Sequence, residues 1–106
     1  MEFGTGDQVL RLVGANDSGR TVNPVHAESQ IHGGLLQGLG YSLSEQMAWD
    51  ERGRFLPVDF RSYGAPTALD MPPNSAVLVE VPHHEGPFGA KGMAETRLIL
   101  KYPGRV

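Results

Sequence analysis

Ile31, Leu35, Leu39, Leu43 and Met47 recur at every fourth position, and Leu36 widens the stripe they draw. Apolar residues at this spacing fall on one side of an α-helix and must be buried against something. Just ahead of the stripe, Asn23 can accept a hydrogen bond from an open helical N–H. Pro24 presets the first turn and gives up an N–H that would have no partner there. The pattern predicts one long, largely buried helix from about Val25 to Met47. Strands supply the surface it packs on. Val9, Arg11 and Val13 alternate with Leu10, Leu12 and Gly14, and the turn-forming cluster Asn16-Asp17-Ser18-Gly19 is expected to stop that run. Ala76 to Val81, AVLVEV, is the clearest strand, rich in β-branched residues and bounded by turn signals. Asp50 to Arg54 reads as a hairpin-type turn leading to Phe55, Leu56, Val58 and Phe60 in extended form, and Pro66, Pro72 and Pro73 make 61–75 an irregular connection. Gly92 to Leu100 is expected to begin another helix. The resulting fold class is α+β: a single domain over 1–106, with one long glycine-containing helix packed on a small sheet and a Pro-rich connection.

The helix carries Gly33, Gly34, Gly38 and Gly40, each costing about 1 kcal/mol relative to alanine in a helix interior. A compensation of about 4 kcal/mol is therefore required. Close approach of another backbone, or of a flat ligand, to the Gly34–Gly38 face would supply it, because glycine alone has no Cβ in the way. A second glycine cluster, GPFGAKGMAET over Gly86 to Thr96, poses a related question. A phosphate-binding P-loop needs Gly-Lys followed directly by Ser or Thr. Here Ala90 separates Gly89 from Lys91, and Gly92 follows. The segment is not a P-loop, yet its glycines and Pro87 shape it for close approach to a partner.

Composition narrows the function classes. With 106 residues, 40% hydrophobic and 20% charged, the chain suits one small globular domain that buries a moderate core. A net charge of -3 offers no basic field, so neither nucleic acid nor an anionic membrane is an expected partner. The absence of cysteine excludes disulfides, thiolate nucleophiles, iron–sulfur ligation and cysteine-held zinc from this chain. MEFGTGDQVLRL has neither a basic nor an apolar leader region, and no run approaches the length of a membrane span, so a cytoplasmic location is the expectation.

The polar residues are equally selective. His26 and His32 stand six apart, on opposite sides of a helix, and His83-His84 lies in a loop, so no metal-ligand spacing appears and no metal site is assigned. None of the serines sits in a G-x-S-x-G elbow. Gln30 and Gln37, seven apart, share a helix face beside the surface that glycine opens. Their amides suit a polar heterocycle as well as they suit backbone. Glu95 is a carboxylate among small and apolar neighbours. It is either a general base whose pKa burial raises or an exposed first-turn glutamate stabilising a helix N-terminus.

Several segments together resemble one family, the molybdopterin-binding large subunit or domain of the molybdenum hydroxylases, the xanthine dehydrogenase and aldehyde oxidase group. TGDQVLRLVGANDSGRTVNP is similar to that family's strand and Asp-x-Gly-Arg-x-x-Asn-Pro segment. SQIHGGLLQGLGYSLSEQ is similar to its Gly-Gln-x-x-Gly-Gly-x-x-Gln-Gly helix, RSYGAPTALDMPP to its Tyr-x-x-Pro-Thr-x-x-Asp-x-Pro connection, and GPFGAKGMAET to its Gly-Pro-x-Gly-Ala-Lys-Gly-x-Gly-Glu loop. The likeness runs in order from about residue 5 to 98. It departs at Ser29 and Ala94, where the family usually has glycine, at His32, where it often has glutamate, and at Thr96-Arg97, where two prolines usually follow.

The resemblance implies a molybdenum-dependent oxidoreductase ancestry, acting on aldehydes, purines or N-heterocycles. Glu95 stands at the position of the base that takes a proton from the metal-bound hydroxyl. The resemblance also implies that Gln30 hydrogen-bonds the pterin of a molybdopterin-type cofactor, with Gly33, Gly34, Lys91 and Gly92 completing the contact. The family's subunit is several times longer than this chain. The expectation is therefore a truncated cofactor-binding-domain-like protein, inactive alone and carrying no cofactor by itself. Its activity would need missing hydroxylase segments in trans; the alternative is a free-standing binding or assembly module that keeps the fold without the cofactor. Apolar helix surface around Leu35, Leu36, Leu39 and Leu43, left uncovered by those missing segments, predicts a homo-oligomer, with a dimer favoured.

Overall fold

A computed structural model describes residues 2–3 and 8–94 of the chain. Among them the elements run β1 (Glu2–Phe3), β2 (Val9–Asp17), α1 (Pro24–Leu43), α2 (Phe60–Tyr63) and β3 (Asn74–Val79), followed by a single 3-10 turn at Pro87–Gly89. The class is small α+β. β2 lies in the middle of a three-stranded sheet, antiparallel to β1 and parallel to β3. Parallel neighbours cannot be joined by a tight turn. α1 and the connection after it make that crossover.

The register explains which residues are inside. Leu12 faces Asn74, Gly14 faces Ala76 and Asn16 faces Leu78 across the β2–β3 pair, and residues in register on parallel strands share a sheet face. This face takes α1: Leu12, Ile31, Leu35 and Leu39 form the buried cluster, and Ala76, Leu78, Leu36, Met71 and Met93 pack around it. The helix begins where the sequence places it. Asn23 is the N-cap, its side-chain oxygen accepts from the His26 N–H at 3.1 Å, and Pro24 opens the first turn.

Three boundaries differ from the sequence reading. The helix ends at Leu43 rather than Met47, and Leu43 and Met47 are exposed. Ser44 and Glu45 both donate their N–H groups back to the Gly40 carbonyl, while the Gln46 N–H turns to the Tyr63 carbonyl at 3.1 Å. Gly64 sits so close that a Cβ on it would lie 2.3 Å from the Ser44 carbonyl oxygen, so the chain after α2 blocks further helix. β2 does not stop at Asn16-Asp17, because parallel pairing to Leu78 and Val79 carries it through both residues. β3 spans Asn74–Val79, two residues earlier than AVLVEV suggests. The turn at Asp50–Arg54 is present, closed by an Asp50 N–H to Arg54 carbonyl bond of 3.0 Å and an antiparallel bridge between Trp49 and Phe55. The extended run after it gives way at Phe60 to α2, whose Asp59–Ser62 capping box starts it. Gly92 to Ala94 are not helical, and the rest of the helix expected from Gly92 lies outside the described residues.

The opposite sheet face has no layer over it among the described residues. Val13, Val77 and Val79 project there and are 51%, 44% and 39% exposed. No helix among the described residues is long and apolar enough to cross a membrane.

Candidate functional site

The two glycine-bearing motifs meet each other. Gly19, at a φ of 59°, lies against the 86–91 loop so tightly that a Cβ on it would come within 2.2 Å of the Gly89 carbonyl oxygen and 3.1 Å of the Lys91 nitrogen. Only glycine tolerates both the left-handed backbone and the contact. Two backbone bonds stitch the segments, Arg20 N–H to Gly89 carbonyl and Lys91 N–H to Ser18 carbonyl, both at 2.9 Å, and the His83 N–H donates to the same Gly89 carbonyl at 3.0 Å from the chain leading into the loop. The loop packs on this chain's own Asp17-Ser18-Gly19 turn through Gly19, whereas Gly86 and Gly89 are pressed against Ala90 and Pro82 of the loop's own chain.

Side chains reinforce the junction. Asp17 Oδ1 accepts from the Gly19 N–H at 2.9 Å and the Val81 N–H at 3.2 Å, and its Oδ2 pairs with Lys91 Nζ. The Lys91 hydrogen bond first, then the Gly19 N–H, hold the Asp17 carboxyl down at about 2. Buried Ser18 shares a 2.7 Å hydroxyl contact with Thr21, whose N–H donates to Glu80 Oε1 at 2.8 Å. That backbone bond is the first cause that lowers the Glu80 pKa.

Between this junction and the start of α1 opens a cleft of about 210 Å³, lined by Ser18, Arg20, Thr21, Asn23, Gln30 and Lys91 among others. An arginine and neutral hydrogen-bonding side chains converge here, while the first-turn N–H groups of His26 and Ala27 are already taken by Asn23, so a polar ligand would be met by side chains. The volume falls below the ~300 Å³ at which small-molecule pockets begin, so these residues form one wall of a site and not an enclosure. A second, more open hollow of about 640 Å³ lies at the other end, between the start of β2, the end of α1 and the 64–73 connection.

The sequence-predicted residues divide as follows. Gln30 and Lys91 line the cleft together. The Gln30 amide has no hydrogen-bond partner among the described residues, whereas Gln37 donates to the Tyr41 hydroxyl at 2.9 Å. Gly33 and Gly92 are exposed, and a Cβ on either would have nothing within 4 Å, while Gly34 is buried in the helix stripe. None of these glycines lines the cleft. Glu95 lies outside the described residues. No group of three His, Asp or Glu side chains gathers as a metal would require among the described residues. His83 and His84 stack on each other, with ring centroids 4.8 Å apart, and His32 Nδ1 is buried without a partner. Sequence reasoning missed Asp17 and Arg20 as site residues. Both stand in the Asp-x-Gly-Arg segment, which carried the signal, but Asp17 reads locally as a turn residue.

The turn after β2, the proline-capped start of α1 and the glycine loop all contribute residues to one cleft. The family model for the molybdopterin cofactor-binding domain matches residues 4–72, and the chain belongs to that family. Among curated relatives it is 46% identical over 80 residues to the probable hypoxanthine oxidase XdhD of Escherichia coli strain K12, covering 74% of this chain and 8% of the relative. It is 38% identical over 102 residues to the carbon monoxide dehydrogenase large chain of Hydrogenophaga pseudoflava, covering 93% of this chain and 12% of that one. Among solved structures, quinoline 2-oxidoreductase from Pseudomonas putida 86 superposes with a TM-score of 0.74 at 34% identity, over 82% of this chain and 11% of that chain. The chain thus spans about a tenth of the length of the proteins it matches.

Proposed function

We propose that this chain supplies one wall of a molybdenum-hydroxylase cofactor site, and that oxidation chemistry requires further hydroxylase segments in trans. The observation that carries this reading is the cleft, where Gln30 presents an amide with no partner in the described chain beside the Lys91 loop. The side chains fit a molybdopterin: the Gln30 amide for a heterocycle edge, Arg20 for anionic groups, and an unobstructed helix surface at Gly33. When bound, that cofactor would supply the redox chemistry of hydroxylation. The chain's own part is to hold one edge of it through Gln30 and, through Glu95, to accept a proton.

The surface left for partners is not the one the leucine stripe predicts. Leu35 and Leu39 are buried in the chain's own core and Leu36 packs against it, which leaves Leu43 as the exposed member of the four that the stripe offered to a second copy. The sheet face at Val13, Val77 and Val79 is the apolar surface a complementing segment or second copy would cover.

Elemental analysis tests the reading. The chain alone is expected to hold no molybdenum, because one wall cannot enclose a large pterin. Co-expression with a hydroxylase large subunit lacking the corresponding segment is expected to restore metal and turnover, with Gln30→Leu lowering metal retention and Glu95→Gln abolishing turnover alone. Near-stoichiometric molybdenum in the isolated chain refutes the need for a partner; an assembled complex without metal refutes the cofactor wall and favours a module that keeps the fold only.

A further inference from the structure

Lys91 is implied by family resemblance to touch the cofactor, but its ammonium is already engaged. It pairs with Asp17 Oδ2, and the two side chains are 28% and 36% exposed, so the pair sits half-buried at the cleft's rim. The other Asp17 oxygen is also taken, by the N–H groups of Gly19 and Val81. One carboxylate therefore joins three stretches that are far apart in sequence: the turn after β2, the chain leaving β3, and the glycine loop.

We infer that Asp17 and Lys91 are positioning residues that latch the 86–93 loop onto the end of β2, and that Lys91 serves the site by fixing this loop rather than by binding the cofactor with its charge. The backbone bonds at Gly89 and Lys91 set the loop's register, but they cross at a single bridged position, Gly19 with Ala90. One such bridge leaves the loop free to lift at either side. The ion pair closes the downstream side, and Asn16 Nδ2 donating to Met93 Sδ at 3.0 Å continues the attachment two residues on. The loop leads directly to Glu95, four residues after Lys91. On the cofactor-wall reading, on which this consequence rests, the latch holds the loop from which the chain runs on in sequence to the proton acceptor. Among the described residues Arg20 has no carboxylate within ion-pair distance, although its charge helps lower the Glu80 pKa, and it is the cleft's cation outside the Lys91–Asp17 pair.

Amide hydrogen exchange on the unloaded chain separates a latch from a cofactor contact. Asp17→Asn keeps an oxygen for the Gly19 and Val81 N–H groups while removing the pair, and Lys91→Met removes it from the other side. Both are expected to speed exchange at the Arg20 and Lys91 amides by about ten-fold while the Ile31 and Leu35 amides hold their rates. Lys91→Arg is expected to restore near-parent exchange, because it keeps the charge and the reach. Unchanged Arg20 and Lys91 exchange in both variants overturns the inference, as does an equal acceleration at Ile31 and Leu35, which marks global destabilisation instead. These readouts need no cofactor, so failure of the latch and failure of the cofactor-wall reading are distinct results. In a complemented, metal-loaded assembly Asp17→Asn is expected to lower kcat more than it raises KM, and the reverse split overturns the positioning role.

Discussion

Gly19→Ala places a methyl group where the structure has no room for one. The residue is held at a φ of 59°, and the left-handed region costs an alanine about 1 to 2 kcal/mol. The new Cβ would stand 2.2 Å from the Gly89 carbonyl oxygen, which is backbone and has no rotamer to escape into. Van der Waals separation requires the loop to retreat by about 1 Å. That movement stretches the Arg20 N–H to Gly89 and Lys91 N–H to Ser18 bonds, both 2.9 Å, beyond useful range. Each is worth about 1 kcal/mol net, so the total expected loss is about 3 to 4 kcal/mol. For a domain of this size that is a large share of the whole, since ~5 to 15 kcal/mol is usual. Urea denaturation followed by far-UV circular dichroism measures it. Fluorescence is the poorer probe, because the single tryptophan, Trp49, is 57% exposed in the native state. A loss below about 1 kcal/mol, less than the backbone term alone, would show that the Gly19 contact with the loop does not exist in solution.

Asn23→Ala removes the oxygen that accepts the His26 N–H and is expected to cost about 1 kcal/mol in the same denaturation assay, with a loss near zero refuting the cap. Leu35→Ala empties a site with no solvent exposure in a core of few residues and is expected to cost about 2 to 5 kcal/mol, measured as a fall in urea midpoint at constant slope. Acid acts through Asp17. Its folded pKa of about 2 lies below the usual carboxylate value, so the unfolded chain takes up the proton first. The stabilisation is therefore complete above about pH 4 and is lost as pH falls through about 2. Carboxyl NMR titration is expected to show this depressed value in the parent and a rise toward the ordinary range in Lys91→Met; an ordinary value in the parent would remove the ion pair.

Local chemistry made some elements readable and long-range contacts decided the others. The Asn23-Pro24 start of α1 was legible because capping involves neighbours in sequence. The end was not. Ser44, Glu45 and Gln46 carry no breaker, and the stripe runs on to Met47, while the obstruction comes from Gly64 and Tyr63 in a segment folded back from further along. Asn16 and Asp17 favour turns by themselves, yet pairing with Leu78 and Val79 holds them extended. At the site, Gln30 was visible from its face of the helix. Asp17 as the partner of Lys91 was not, since the two are separated by 74 positions and no periodicity links them.

The helix glycines bring fold and function into one measurement. Gly34 and Gly38 lie in the buried stripe with Ile31 and Leu35. Gly40 is on another side, and a Cβ there would meet the Pro66 ring at 2.7 Å, so the 64–66 chain accounts for it. Gly33 has open space around it instead, and no packing among the described residues offsets its cost. Gly33→Ala should therefore stabilise the unloaded chain, by about 0.5 to 1 kcal/mol. Gly33 stands three residues from Gln30, on neighbouring parts of one helix surface, so a flat group hydrogen-bonded to the Gln30 amide would lie across it. If such a group is what Gly33 makes room for, the same substitution must lower molybdenum content in a complemented assembly while it raises the stability of the free chain. Opposite signs in the two assays would mark the glycine as retained for binding. A gain in stability with metal content unchanged would refute a cofactor contact at Gly33, and a loss of stability would show that the chain's own packing reaches this position.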